Sequence, residues 1–221
     1  SVSLSSDGKT IAIGSIYSDG NGAASGHVRV YNYNGTEWIQ LGGDIDGEAA
    51  SDQSGYSVTL SSDGATVAIG AKLNDGNGAN SGHVRIYNYN GTNWTQLGGD
   101  INGEAANDNS GHSVSLSSDG KIVAIGAFYN NGNAVGSGHV RIYNYNGTEW
   151  TQLGGDINGE TTYDYSGHSV SLSSDGKTVA IGALYNSGNG VSSGHVRVYQ
   201  YSSDSWTQIG TDIDGEANSD N

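Results

Sequence analysis

The chain has 221 residues, among them 37 glycines and no Cys, Pro or Met, and carries a formal net charge of −15. That acidity argues against a nucleic-acid partner, whose phosphates are neutralised by Lys and Arg, of which only eight are present. Without Cys there is no disulfide framework or zinc-thiolate centre, and no apolar run of about 18 residues exists for insertion in a membrane as a helix.

From the N-terminus, Val2 and Leu4 alternate with serines, which predicts a half-buried strand, and Asp7-Gly8 supplies a turn. Ile11 and Ile13 alternate in a second strand. After the Gly-rich loop that ends at Gly26, the segment from His27 to Tyr33 puts Val28 and Val30 on one face and His27, Arg29, Tyr31 and Tyr33 on the other. Asn34-Gly35 predicts a type I′ hairpin, and the return strand starts at Trp38. The run GGDIDGEAASDQSG then leads to Ser57, where the same text starts again, as it does at Ser113 and Ser169, always after 56 residues.

A fixed period of this size marks stacked supersecondary units. Four strands per unit and no period of 3.6 predict an all-β fold: a β-propeller of four four-stranded antiparallel blades, or sixteen strands. The chain reads as one domain, 1–221, with repeats 1–56, 57–112, 113–168 and 169–221. The four blades either close a small ring, the arrangement favoured here, or form part of a longer array.

The motifs SGYSV at Ser54, VAIGA at Val67 and GHVRIY at Gly82 recur in the later repeats, with variations. They resemble the FG-GAP repeats of integrin α-type propellers and their bacterial and algal relatives, over the whole chain. The resemblance implies blades of that type. It also implies a calcium loop in the first hairpin, yet SSDG at Ser5 to Gly8 is too short to cage an ion, and integrin propellers carry more blades than this chain supplies.

A second acidic pattern offers calcium ligands instead. Asp44, Asp46, Glu48 and Asp52 stand at relative positions 1, 3, 5 and 9, and the later copies are Asp100, Asn102, Glu104 and Asp108; Asp156, Asn158, Glu160 and Asp164; and Asp212, Asp214, Glu216 and Asp220. Four such oxygens with carbonyls and water would suit calcium; the competing use is turn capping or pairing with Arg29, Arg85, Arg141 and Arg197, the only arginines. Asn34, Asn90, Asn93 and Asn146 head N-glycosylation sequons, absent from the fourth repeat. Trp38, Trp94, Trp150 and Trp206 are weak candidates for sugar stacking, against packing of the return strand.

His27, His83, His139 and His195 share one repeat position, and His112 and His168 another. Because an enzyme site needs different groups converging on one substrate, such copying speaks against catalysis, and no enzyme is expected. The expected function is a non-enzymatic extracellular structural or adhesive module at the cell surface, a unit of a larger surface protein or filament. Its partners would be other copies or neighbouring repeats. The alternative is a multivalent carbohydrate-binding propeller for glycans.

Overall fold

The computed structural model describes residues 1–219. Each repeat folds into its own sheet, and no helix occurs among the described residues. Blade 1 contains β1 (Val2–Leu4), β2 (Thr10–Ser15), β3 (His27–Tyr33), β4 (Trp38–Gln40) and β5 (Ile45–Asp46). Blade 2 contains β6 (Ser57–Leu60), β7 (Thr66–Ala71), β8 (His83–Tyr89), β9 (Trp94–Gln96) and β10 (Ile101–Asn102). Blade 3 contains β11 (Ser113–Leu116), β12 (Ile122–Ala127), β13 (His139–Tyr145), β14 (Trp150–Gln152) and β15 (Ile157–Asn158). Blade 4 contains β16 (Ser166–Leu172), β17 (Thr178–Ala183), β18 (His195–Ser202), β19 (Ser205–Gln208) and β20 (Ile213–Asp214).

The order within a sheet is β1-β2-β3-β4, all antiparallel, as the alternation predicts. The fifth strand is a departure from four. β5 pairs with the first residues of β3 (Ile45 against Val28, Asp46 against His27), while β4 pairs with its last (Tyr31 against Gln40, Tyr33 against Trp38). The outer edge is therefore one strand interrupted by a bulge at Gly42-Gly43, where Gly42 takes φ +66°. Bulges of this kind blunt an exposed edge against unwanted pairing.

Turn chemistry accounts for both tight hairpins. In SSDG, the Ser5 hydroxyl donates to Asp7 Oδ1 (2.7 Å) and accepts the Thr10 N–H (2.9 Å), while Asp7 Oδ1 also takes the Lys9 N–H. The second hairpin is displaced by one residue from the sequence expectation. The Asn34 N–H donates to the Glu37 carbonyl, so the central pair is Gly35-Thr36, and of these only Gly35 takes positive φ. The Asn34 side-chain oxygen accepts the amides of Thr36 and Glu37. In blade 4, which lacks NGT, Ser203 and Asp204 both take positive φ (50° and 60°), the geometry of a type I′ turn.

The innermost strands β1, β6, β11 and β16 pack against one another in succession. The apolar core lies between blades rather than within them, in three clusters. The first joins Ala12, Val28, Val30 and Ile45 of blade 1 to Val58, Leu60, Val67 and Ile69 of blade 2; the other two repeat it between blades 2 and 3 and blades 3 and 4. Among the described residues no such cluster joins blade 4 to blade 1, so the four blades form an open arc rather than the closed ring favoured from the sequence.

Each interface carries a copied hydrogen bond. The indole N–H of Trp94 donates to the Leu41 carbonyl (2.8 Å), as Trp150 does to Leu97 (2.8 Å) and Trp206 to Leu153 (2.7 Å). Trp38 is 46% exposed. Trp94→Ala is expected to destabilise the protein by about 3 kcal/mol, the cost of a large interface side chain, and Trp38→Ala by under about 1 kcal/mol. Urea unfolding of both variants checks this, and equal losses would refute the interblade role.

Candidate functional site

Antiparallel order brings the β2–β3 loops and the β5–β6 connections, with their equivalents, to one end of the arc, here called the upper face. The SSDG and NGT turns occupy the lower face. The repeats hardly differ on the lower face of blades 1 to 3. They differ most on the upper one: Ile16, Lys72, Phe128 and Leu184 share a repeat position, as do Ser51, Asn107 and Tyr163, and Gln53, Asn109 and Tyr165.

Tyr56, His112 and His168 each precede an innermost strand or lie at its start, and they stack in a row. Ring centroids are 5.0 Å apart for Tyr56 and His112 and 4.8 Å for His112 and His168. The Lys72 ammonium sits 3.6 Å over the Tyr56 ring. Phe128 packs on His112 at 4.1 Å and on Tyr129 at 4.1 Å. His112 Nδ1 is buried without a hydrogen-bond partner. Burial, then the neighbouring His168 and Lys72, hold His112 down at about 4, and burial with Lys72 lowers His168 as well, so both are neutral at pH 7.

Beside this row, between blades 2 and 3, lies a cleft of about 430 Å³. Asn80, Asn107, Asn109 and Asn131 line it with side-chain amides, and Tyr129 and Tyr163 supply rings. It is built from the positions at which the repeats disagree. Its sequence signal lies in the differences between copies, not in the residues that are copied.

The copied ionisable groups sit at the interfaces. Glu48 of blade 1 faces His83 (3.7 Å to Nδ1) and Arg85 (3.4 Å to Nη1) of blade 2; Glu104 repeats this with His139 and Arg141, and Glu160 pairs with Arg197. Asp44 takes a bidentate pair from Arg29 (2.9 and 2.8 Å), as Asp156 does from Arg141 and Asp212 from Arg197. Arg85 instead donates to the Asp46 carbonyl (2.8 Å), and Asp100 accepts from Gln96. Asp52, Asp108 and Asp164 are buried; Asp52 accepts from the Ala49 amide and from Asn74 of the next blade, Asp108 likewise from Ala105 and Asn130, and Asp164 from Thr161.

The members of each acidic loop thus face different partners. The donors that do converge are His27, Asp44 and Asp46; Glu48, His83 and Asp100; Glu104, His139 and Asp156; and Glu160, His195 and Asp212. These four groups have donors close enough to hold a metal, with an imidazole nitrogen among them rather than oxygen alone. Asn102 and Asn158 lie in β10 and β15, Asp214 in β20 and Glu216 just beyond it, while Asp220 lies outside the described residues. Asn34, Asn90, Asn93 and Asn146 are exposed at or beside the lower-face hairpin tips.

Residues 45–87, from the outer edge of blade 1 to the third strand of blade 2, match the model of the FG-GAP repeat family. That stretch is an FG-GAP repeat. Closely similar sequence recurs every 56 residues, and each copy builds an equivalent sheet. Two solved structures are similar over 96% of the chain. One is a candidate 6-phosphogluconolactonase of Bacteroides uniformis (TM-score 0.62, 16% identity), the other a periplasmic gluconolactonase of Pseudomonas aeruginosa (TM-score 0.60, 14% identity). The chain spans 54% and 56% of those two proteins, about half their length, and at such identities the likeness shows the fold alone. No curated protein matches the chain in sequence.

These neighbours correct two expectations. Both are described as lactonases, so neither a structural or adhesive module nor a glycan-binding propeller stands as the expected function, and enzyme activity is not excluded. The physical reason is the upper face. Copied residues argue against catalysis only where copying is complete, and Lys72, Tyr56, His112, His168 and Phe128 supply the asymmetry that a reaction needs.

Proposed function

We propose that the chain is a lactonase-type hydrolase acting on a sugar lactone at the upper-face cleft. The observation that carries this reading is the cleft between blades 2 and 3, lined with Asn amides and Tyr rings just where the repeats diverge. Amides donate to and accept from hydroxyl groups, and aromatic faces cover the C–H face of a sugar ring. The lining has no Lys or Arg, which favours an uncharged lactone over a phosphorylated one. The lactonase descriptions of the two structural neighbours support the reaction class.

In this reading the sugar lies in the cleft, and its lactone carbonyl reaches past Tyr129 and Phe128 to the neutral His112–His168 pair. That pair takes a proton from water as the water oxygen attacks the carbonyl. The ring C–O bond then breaks, and the departing alkoxide receives that proton to give the open hydroxy acid. Lys72 adds positive potential for the developing oxyanion. Acid release from glucono-δ-lactone, corrected for spontaneous hydrolysis, tests the assignment. His112→Gln is expected to lower kcat about a hundredfold with little change in KM, and Tyr163→Ala to raise KM. A wild-type rate equal to the spontaneous one sinks the proposal. A location outside the cytoplasm fits the FG-GAP repeat and the periplasmic neighbour, and fractionation of the cells that make the protein checks it. A metal at the interface groups, calcium included, would be structural in this scheme, raising the melting temperature without changing kcat.

A further inference from the structure

The open arc leaves one face of blade 1 and one face of blade 4 uncovered, and each has the residues that interior blades use on each other. Val2 and Leu4 are 69% and 55% exposed, whereas their counterparts Val58 and Leu60 are 8% and 7% exposed. On the opposite end, Ile213 is 61% exposed, against 6% for its counterpart Ile157. Val196 and Ile209 stand out with it. A groove of about 380 Å³ runs beside Gly182, bordered by His168, His195, Val196 and Ile213. At the equivalent glycines Gly14, Gly70 and Gly126, the next blade's backbone comes so close that a Cβ would collide with the carbonyls of Gly55, Gly111 and Gly167; Gly182 meets no such carbonyl.

We propose that these two faces join head to tail between two copies of the chain, blade 1 of one copy seating on blade 4 of the other as blade 2 seats on blade 1. The interior interfaces give the pairing atom by atom. The Trp38 indole N–H would donate to the Ile209 carbonyl of the other copy, as Trp94 does to Leu41. Arg29 would reach Glu216 of the other copy, as Arg85 reaches Glu48, so the charges at the rim are complementary. Val2 and Leu4 would fill the apolar side of the groove against Val196 and Ile213, as Val58 and Leu60 pack with Val28 and Ile45. A second copy is the occupant because the surface matches a blade of this very sequence, donor to acceptor. The contact is heterologous, one face against a different one.

Sedimentation of the 221-residue protein across the micromolar range tests this, with circular dichroism to verify folding. The mass of two copies or more is expected, and a monomer at every concentration overturns the proposal. Leu4→Asp blocks the first face and Ile213→Asp the second. Each variant alone is expected to lose most of the assembly, and an equimolar mixture of the two to regain a dimer, since it still holds one intact face of each kind. A mixture that stays monomeric while wild type assembles excludes the head-to-tail contact.

Discussion

Gly126→Ala is expected to lower stability by about 3 kcal/mol, near the upper end of what an added core methyl costs. Gly126 lies in β12, hydrogen-bonded between β11 and β13, so its backbone cannot yield sideways. An added Cβ would meet the Gly167 carbonyl of the adjoining blade as well as Ser113 Oγ. Gly182→Ala, at the equivalent position of blade 4, would collide only with the Ser169 hydroxyl, which can rotate aside. Its cost is expected to stay below about 1 kcal/mol. Urea unfolding midpoints decide between them. Equal losses would mean that the collision is within the blade and that blade spacing is not set by glycine.

Acidification from pH 7 to pH 4.5 is expected to cost several kcal/mol. Burial lowers His83 from 6.5 to about 4, His112 to about 4, and shifts His139, His168 and His195 in the same direction. The folded state resists protons that the unfolded chain accepts freely. Stability is therefore full above about pH 6.5 and falls as the pH drops from there towards 4. His83, with 1% of its surface exposed, loses up to roughly 3 kcal/mol across that window. Asp212, held at about 2 chiefly by its hydrogen bond from Arg197, adds its own loss only below pH 3.8. Thermal melts at pH 7, 5.5 and 4.5 measure the slope, and His83→Gln should flatten it. A melting temperature constant over that range would show that these imidazoles are solvated.

The blades and their inner hairpins were legible because period-2 alternation and Asp-Gly turns are local properties. The fifth strand was not, since Gly42-Gly43 has the composition of a loop that ends the return strand, whereas Ile45 and Asp46 come back to pair with Val28 and His27 of β3. The acidic loop was legible in part, since its residues enter the candidate metal groups, but in other company than the spacing suggests. Spacing along a chain suggests convergence, yet Asp44 turns to its own Arg29, and Glu48 crosses to His83 of the next blade. Which side chains meet across an interface depends on how sheets stack, and no single repeat encodes that. The upper-face cleft was legible in principle, in the different residues at 51, 107 and 163 and at 53, 109 and 165.

The separation of the two faces has an evolutionary consequence. The contacts that hold neighbouring blades together (the Gly-to-carbonyl approaches, the Trp-to-carbonyl bonds and the Glu–Arg pairs) involve none of the six cleft residues named above. Duplicating a 56-residue unit therefore adds a blade that fits at once, with a further set of upper-face side chains that these interblade contacts do not use. Mutations accumulating there can try new ligands one blade at a time while the inherited cleft continues to work.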